Sequence, residues 1–340
     1  MKKSNLWTGI LVIALVFTMA ITACGGDDDG GGDNGGNNGG NTGGGDTGGW
    51  KAVKDSTFGT SYIYAIAYGN GKFVAGGQNK KMAYSTDGAT WTAVSQSGFV
   101  YDSTIYAIAY GNGTFVAGSG SKMATSTDGV TWTAVTDSTF TASTSDIRAI
   151  AYDNGKFVAV GQNRKMATST DGATWTAVSQ SGFAYGNDTI YAIAYGNGKF
   201  VAGGTYGKMV TSTDGATWTA VSDSTFDSVS ANFVRAIAYG NNTFVAGCQD
   251  GKMATSTDGI TWTTVTDSTF GTSWIGAIAY GNGKFVAGGS SGKMAYSTDG
   301  TTWKALSNTF GDSGIIAIAY GGDKFVAGGT DGKMAYLSDN

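Results

Sequence analysis

Six aspartates recur in one short sequence, Ser-Thr-Asp-Gly-x-Thr-Trp, and form the most regular chemical feature of the chain. A carboxylate in a tight turn can accept backbone N–H bonds, bind calcium or take part in acid–base chemistry. Because each turn offers only one carboxylate and calcium prefers six to eight oxygen ligands, the first role is favoured. The aspartates are Asp87, Asp128, Asp171, Asp214, Asp258 and Asp299.

The absence of certain residue types limits the possible chemistry. The chain contains no histidine and no glutamate, so every acidic residue is an aspartate. This composition excludes Ser-His-Asp and Cys-His arrangements and histidine-ligated metals. Two aspartates could still form a glycosidase pair, but those outside the repeated turns are scattered along the chain. We therefore expect no catalytic residue, no metal and no cofactor, with a glycoside-hydrolase-like enzyme as a less favoured alternative.

The basic and aromatic residues suggest binding instead. Arg148, Arg164 and Arg235 could together hold a carboxylate, and Arg148 and Arg235 occupy the same slot of a repeat. Tyrosine and arginine are enriched at binding hot spots, although the slot could equally plug a channel. Its occupants in chain order are Tyr64, Tyr106, Arg148, Tyr191, Arg235, Gly276 and Ile316.

These residues belong to seven tandem repeats that begin at residue 50. A tryptophan recurs every 41–44 residues, a period within the range of four-stranded propeller blades. The tryptophans are Trp50, Trp91, Trp132, Trp175, Trp218, Trp262 and Trp303. We therefore expect residues 50–340 to form an all-β, seven-bladed propeller.

Each repeat has four short apolar segments separated by turn residues, which predicts four strands per blade. In the first repeat the strands are predicted over residues 63–68, 72–76, 81–85 and 90–94. Asn70-Gly71 and Asp87-Gly88 supply the tight turns.

Side-chain size predicts the order of the strands from axis to rim. The first strand carries Ala65 and Ala67, which suit the crowded centre, whereas the fourth carries Trp91, which fills the wider rim. A methionine in each third strand is expected to fill the core. These residues are Met82, Met123, Met166, Met209, Met253, Met294 and Met334.

The two ends of the repeat region complement each other. Residues 50–53 read as an isolated fourth strand, and the final repeat ends after a third strand in the sequence KMAYLSDN. Pairing these segments would close the ring and leave no open sheet edge there.

The repeated aspartate turn, for example residues 85–91, resembles the Asp-box of the BNR-repeat propellers. That group includes sialidases, some glycoside hydrolases, non-catalytic receptors and assembly factors, so the resemblance implies architecture but not activity. The boxes here are one residue shorter than usual between aspartate and tryptophan. The glutamate that would activate a sialidase-like tyrosine is missing.

The N-terminal region predicts export. Residues 1–23 combine two lysines with an apolar run that ends before Cys24, and they resemble a lipoprotein signal peptide with Cys24 as the lipidated residue. An uncleaved membrane anchor and an ordinary secretory signal are the alternatives. In the predicted region 24–49, Cys24 is followed by Gly, Asp, Asn and Thr, which cannot bury apolar surface and are expected to form a disordered tether. Cys248, the other cysteine, is expected to be a small buried thiol.

Charge gives little indication of a partner. Of 21 basic and 25 acidic residues, two lysines lie in the signal and five aspartates in the tether, which leaves 19 and 20 in the repeats. A near-neutral domain provides no basic field for nucleic acid.

Variation among the repeats indicates a binding surface. The loops between strands one and two and between strands three and four are nearly uniform, whereas the two-to-three loops and the connections between repeats differ. In an up-and-down blade both variable sets emerge on the same side. Aromatic residues in these loops are Tyr62, Tyr101, Tyr185, Tyr206, Phe233 and Trp274.

We therefore predict a monomeric lipoprotein, held at the outer membrane or cell surface through its lipid alone. Its variable loop face is expected to bind an extracellular protein or glycan. A purely structural or assembly propeller with drifting loops is the alternative.

Overall fold

The computed structural model describes residues 49–99, 103–140, 145–183, 188–226 and 232–338. These residues form seven antiparallel four-stranded sheets, so the predicted seven-bladed, all-β propeller is confirmed. Cys24, the signal, most of the tether, Tyr101 and Tyr185 lie outside the described residues. Within the described segments, no helix has the length and apolar character needed to cross a membrane.

Blades are numbered 1 to 7 from the strand that begins at Ile63. In blades 1 to 6 the four strands follow one another along the chain from inside to outside. The inner strands are Ile63–Gly69, Ile105–Gly111, Ile147–Asp153, Ile190–Gly196, Val234–Gly240, Ile275–Gly281 and Ile315–Gly321. The second strands are Lys72–Gly77, Thr114–Ser119, Lys156–Gly161, Lys199–Gly204, Thr243–Cys248, Lys284–Gly289 and Lys324–Gly329.

The outer half of each blade consists of shorter strands. The third strands are Met82–Ser85, Lys122–Ser126, Met166–Ser169, Met209–Ser212, Met253–Ser256, Met294–Ser297 and Met334–Ser338. The outer strands are Thr92–Ala93, Thr133–Ala134, Thr176–Ala177, Thr219–Ala220, Thr263–Thr264, Lys304–Leu306 and, in blade 7, Lys51–Ala52. In blade 1 the outer strand is shorter than the sequence predicted because the Asp-box turn includes residue 90.

The predicted radial order is confirmed by the contacts between blades. Inner strands of neighbouring blades pack against one another all the way round, from blade 1 to blade 7 and back to blade 1. Ala65 and Ala67 are fully buried in this ring. A Cβ atom on Gly76 would lie 2.7 Å from Ile105 of the next blade. Small residues are therefore required where adjacent sheets approach most closely.

The ring is closed by the N-terminal strand, as predicted. Lys51 pairs with Tyr336 and Ala52 pairs with Ala335, and the Val53 N–H donates to the Met334 carbonyl oxygen at 2.9 Å. Trp50 is 5% exposed. The strand thus completes the sheet of blade 7, although it is two residues long rather than four.

The repeated methionines and Cys248 are core residues. All seven predicted methionines are at most 3% exposed, which confirms that they fill the core. Cys248 is fully buried, and burial raises the pKa of its thiol to about 12. The thiol therefore stays protonated and unreactive at neutral pH.

The Asp-box carboxylates stabilise the turns in which they lie. The backbone N–H groups of Thr174 and Ala173 donate to Asp171 Oδ1, each at 2.8 Å. The Ser169 hydroxyl donates to the same oxygen at 3.0 Å. These bonds favour the ionised carboxylate and lower the pKa of Asp171 to about 2.

The face with the Asp-boxes is uniform because its turns pack against neighbouring blades. A Cβ on Gly88 of blade 1 would lie 2.9 Å from Val326 of blade 7. Lys72 of blade 1 donates through Nζ to the Asp128 carbonyl oxygen of blade 2 at 3.0 Å. A change in one turn would therefore disturb the adjoining blade, and this explains the repetition.

Candidate binding surface at the mouth of the channel

The two variable loop sets lie on one side of the propeller and are hydrogen-bonded to each other. The Gln78 N–H, at the start of a two-to-three loop, donates to the Tyr62 carbonyl oxygen at 3.0 Å. In the same loop the Lys80 N–H donates to the Ser103 carbonyl oxygen in the connection entering blade 2, at 2.6 Å. We call this side the variable face.

Short 3₁₀ turns shape five of the two-to-three loops. The sequence did not predict them, because three residues are too few to show helical periodicity. They span Gln78–Lys80, Gln162–Arg164, Thr205–Gly207, Ser290–Gly292 and Thr330–Gly332.

Only the second half of each connection varies freely. In the first half before blade 1, Asp55 Oδ1 accepts the Thr57 N–H at 2.7 Å. The Ser56 hydroxyl donates to the Gly332 carbonyl oxygen at 2.6 Å, and Phe58 is fully buried. The sequence predicts that whole connections vary, but in this connection the buried Phe58 and the turn before it hold the first half in place.

The variable second half of the connection is short before three neighbouring blades and longer before the other four. Between the buried phenylalanine and the inner strand, the connections entering blades 1, 6 and 7 comprise residues 59–62, 271–274 and 311–314. Those entering blades 2 to 5 are longer, comprising residues 100–104, 141–146, 184–189 and 227–233. Tyr101 and Tyr185 belong to the longer group.

The variable slot of the inner strand is a β-bulge in every blade. In blade 1, Ile63 pairs with Gly77 and Ala65 with Gly76, so Tyr64 is the extra residue. The same irregularity occurs at positions 106, 148, 191, 235, 276 and 316. Because bulges redirect a side chain away from the regular pleat, this slot can vary without changing the packing between blades.

Blades 1 to 3 contribute a continuous stack of rings and a guanidinium. The Tyr64 ring lies 6.1 Å from Tyr62 and 5.4 Å from Tyr106 between centroids. Arg148 Cζ lies 4.4 Å from the centre of the Tyr106 ring. Tyr64 is 6% exposed, and burial raises the pKa of its hydroxyl to about 12.

Blades 4 and 5 contribute a second group. The Tyr191 and Phe233 rings lie 5.6 Å apart, and Arg235 Cζ lies 5.5 Å from the Phe233 ring. Arg235 Nε donates to Gln249 Oε1 at 2.6 Å. Burial lowers the pKa of Arg235 to about 9.

The bulge side chains of blades that are not neighbours come together. The charge of Arg148 on blade 3 opposes the burial-driven rise in the pKa of Tyr64 on blade 1. The same charge adds to the burial that lowers the pKa of Arg235 on blade 5. Tyr64 and Ile316, from blades 1 and 7, also belong to one buried cluster, and Tyr106 and Tyr191 pack against it. The bulge side chains therefore gather at the variable-face end of the inner strands, where the sequence predicts the mouth of the central channel.

Blades 6 and 7 contribute an apolar side to this mouth. A Cβ atom would lie 2.4 Å from the Trp274 indole at Gly276 and 2.7 Å from it at Gly314. Glycine at both positions therefore leaves room for the indole. Ile316 is 4% exposed. In the sequence, the slot holds tyrosine or arginine in blades 1 to 5 but glycine in blade 6. The structure shows that the Trp274 indole occupies the space that a side chain at Gly276 would fill.

Most of the aromatic residues predicted to bind a ligand pack against other side chains and are not fully exposed to solvent. Tyr62, Tyr106, Tyr191, Phe233 and Trp274 are partly buried. Tyr206 is different, with 40% exposure and a φ of +57°. An exposed tyrosine in this left-handed conformation is uncommon.

Tyr206 borders an outer groove that the sequence did not reveal. The groove has a volume of about 310 Å³ and is lined by Tyr206, Lys208, Asp223 and Phe226 among others. The equivalent groove of blade 3, of about 530 Å³, contains Arg164. Because these grooves form between a two-to-three loop and the turn after an outer strand, no single segment of sequence predicts them.

The three arginines do not form one triad. Arg148 and Arg235 converge at the channel mouth, whereas Arg164 lies in the outer groove and donates through Nη1 to the Phe183 carbonyl oxygen at 3.2 Å. In the part of the chain that the structure describes, no three Asp or Cys residues gather as a metal site would require.

Comparisons with known proteins support the architecture. Residues 102–233 match a family model described as "DUF6242 beta propeller domain". No curated protein matches the chain. Among solved structures, YCF48 from Cyanidioschyzon merolae is 16% identical with a TM-score of 0.62, over 85% of this chain and 98% of that chain.

Two further solved structures contain ligands. One is described as YCF48 bound to D1 peptide, 15% identical with a TM-score of 0.67 over 86% of this chain and 96% of that chain. The other is a catalytically inactive virginiamycin B lyase from Staphylococcus aureus with quinupristin, 12% identical with a TM-score of 0.68 over 85% and 98%. At these identities the likeness establishes the propeller fold, which this chain shares with YCF48.

Proposed function

We propose that this protein is a non-catalytic, extracytoplasmic binding module that recognises a segment of another protein through its variable face. One observation carries the proposal: tyrosine or arginine fills the bulge slot on blades 1 to 5, and the longer connections enter blades 2 to 5. The tyrosine and arginine side chains and the longer connections thus occur on the same side of the ring, in neighbouring blades. Loops on a rigid scaffold are the usual place for binding residues.

The packing of the aromatic residues favours a protein ligand over a glycan. Sugar binding commonly uses an open aromatic face, but Tyr64 and Tyr106 pack against each other and Arg148 covers Tyr106. Partly buried tyrosines and arginines are instead typical of protein-binding hot spots. YCF48, which has the same fold, was solved with a peptide, so a propeller of this size can accommodate such a ligand.

We further propose that the domain is held at the outer membrane or cell surface. Residues 1–23 would act as a signal peptide, Cys24 would carry the lipid, and residues 25–49 would act as the tether. Membrane contact would be through the lipid alone, and the closed ring needs no second copy to complete its sheets. We expect no nucleic-acid partner because the repeats are nearly neutral.

Composition and the role of the Asp-boxes argue against an enzyme. The chain lacks histidine and glutamate, and the box carboxylates accept hydrogen bonds from their own turns, as Asp87 does from Ala89 and Thr90. A purely structural propeller is the second candidate, because the same bulge side chains could serve only to fill the channel.

The proposal is tested by selecting random displayed dodecapeptides on the purified full chain in detergent micelles. Selected peptides are synthesised, and their affinities are measured for the wild type and for Tyr191→Ala. We expect Tyr191→Ala to weaken binding about tenfold, equivalent to about 1.4 kcal/mol. Thr86→Ala, at an exposed position on the opposite face, is the matched control and should bind like the wild type.

Two results would contradict the proposal. The first is that no peptide shows saturable binding. The second is that Tyr191→Ala lowers the melting temperature while each folded molecule binds as tightly as before, which would show that these side chains plug the channel.

A further inference from the structure

Arg148 is a buried cation with incomplete hydrogen bonding. Its side chain is 6% exposed, and Nη2 donates to Asp146 Oδ2 at 2.7 Å. Its Nε and Nη1 atoms are buried and have no acceptor among the described residues. Since Nε carries one N–H and Nη1 carries two, three of the five donors of the guanidinium lack a partner in the part of the chain that the structure describes.

Such an arrangement disfavours folding unless something else accepts these hydrogen bonds. A buried donor that has lost water without gaining a partner carries the full penalty of desolvation, and the penalty is larger for a charged group. Unsatisfied buried groups in a well-packed structure therefore point to water, an ion or a ligand at that place.

Two further buried hydroxyls without a partner among the described residues lie on the adjoining edges of blades 2 and 3. Ser119 and Ser145 are at most 1% exposed, and neither hydroxyl has a partner within the described part of the chain. Both lie beside a hydrogen bond that joins blades 2 and 3, in which the Ile147 N–H donates to the Gly120 carbonyl oxygen at 2.9 Å. Donors without acceptors thus gather at one boundary of the variable face.

The chemistry of these groups calls for an anion. Hydroxyl and guanidinium hydrogens require an acceptor, and the charge of Arg235 adds to that of Arg148 at the channel mouth. The planar guanidinium matches a carboxylate by donating two parallel hydrogen bonds. On the side of blades 6 and 7, the partly buried Trp274 provides an apolar surface, and the buried Ile316 lies in blade 7 beside it.

We propose that Arg148 anchors a carboxylate of an acidic peptide, with an apolar residue of the same peptide lying against the Trp274 side. This inference rests on the proposed function and specifies its ligand. Asp146 holds one edge of the guanidinium in place, and the remaining donors bind the peptide carboxylate. The Tyr106 ring, stacked on the guanidinium at 4.4 Å, moves aside when the peptide enters.

The test uses the peptides selected on the full chain. Each is resynthesised with Asp and Glu replaced by Asn and Gln and with an amidated C-terminus. For the wild type we expect these neutral peptides to bind at least tenfold more weakly. Arg148→Gln should weaken binding of the acidic peptide by a similar factor but leave binding of the neutral peptide unchanged. Both changes remove the same interaction, the one between the Arg148 guanidinium and the peptide carboxylate.

Further variants separate this role from a structural one. Arg148→Lys keeps the charge but loses the planar fork, so we expect an intermediate loss of affinity. Asp146→Asn keeps an acceptor for Arg148 Nη2 but removes a negative charge next to the site, so acidic peptides should bind more tightly. Replacing the peptide carboxylates tests the wild-type protein itself, so the proposal stays falsifiable even if a variant at position 148 does not fold.

The outcomes distinguish this inference from the proposed function. If acidic and neutral peptides bind the wild type equally well, the carboxylate inference is wrong and the binding function stands. If no peptide binds, both are wrong. If polygalacturonate binds in an Arg148-dependent manner and the peptides do not, the anionic ligand is a polysaccharide, which overturns the peptide proposal.

Discussion

Trp50 belongs to the strand that closes the ring, and its replacement by alanine should weaken the closure measurably. The indole is 5% exposed, and its Nε1 has no hydrogen-bond partner among the described residues, so the loss is one of burial. A tryptophan buries about 150–250 Å², which at about 25 cal/mol per Å² corresponds to roughly 4–6 kcal/mol. Core Trp→Ala substitutions cost about 3–5 kcal/mol. We therefore expect about 3–5 kcal/mol of lost stability.

The loss should be visible in two ways. At about 2–4 °C per kcal/mol, the melting temperature should fall by roughly 6–20 °C. The strand Lys51–Ala52 is held by two register pairs and one further hydrogen bond, so it should detach before the rest unfolds. Trypsin cleavage after Lys54, followed by mass spectrometry under native conditions, should then become much faster than in the wild type.

Trp132→Ala is the matched control. Trp132 is 7% exposed and its Nε1 likewise has no partner within the described region. Its strand, Thr133–Ala134, is joined through the Asp-box turn to the third strand of the same sheet, whereas Lys51–Ala52 is held in its sheet by non-covalent pairing alone. The control should lose similar stability without faster cleavage after Lys54. Equal protease resistance of Trp50→Ala and the wild type, or a loss below about 1 kcal/mol, would show that the closure contributes little.

Three other outcomes are expected. Because hydrogen bonds from Thr174 and Ala173 lower the pKa of Asp171 to about 2 from 3.8, its stabilisation should be complete above pH 3.8 and lost as the pH falls through 2. Chemical denaturation across this range should show the loss, and Asp171→Asn should reduce the pH dependence; an unchanged profile would contradict the assignment. Asp153→Gly should raise the melting temperature at neutral pH, since burial raises the pKa of this carboxyl and its ionisation disfavours the folded state; a lower melting temperature would refute this. Cys24→Ser should release the protein from membranes or block its processing, as fractionation would show, and persistent membrane association would indicate an uncleaved anchor.

The propeller fold could be predicted from local sequence because the same pattern of strands and turns occurs in each of the seven repeats. The tryptophan period set the number of blades, and the Asn-Gly and Asp-Gly turns set the strands. Ala65, Met82 and Trp91 showed the radial order through their sizes. The isolated strand at Trp50 predicted the closure because an unpaired sheet edge would otherwise remain.

The site was predictable only in part. The variable slot at Tyr64, Arg148 and Arg235 was visible from comparison of the repeats, as was the side on which the variable loops emerge. That the slot is a β-bulge was not visible, because a bulge depends on the register of two strands that are separate in sequence. The outer groove beside Tyr206 was missed for a related reason, since its walls come from loops and turns that meet only after folding.

The sequence by itself determined the repeat number, the strand pattern, the closure and the two unlike faces, since each depends on neighbouring residues or on regular repetition. The tertiary structure decided which side chains meet. The contact between Arg148 and the Tyr106 ring, the fit of Trp274 over Gly276 and the unsatisfied donors of Arg148 arise between blades. Burial and hydrogen bonding across the boundaries between blades decide whether a side chain fills the channel or can bind a ligand. The order of residues alone does not specify these contacts.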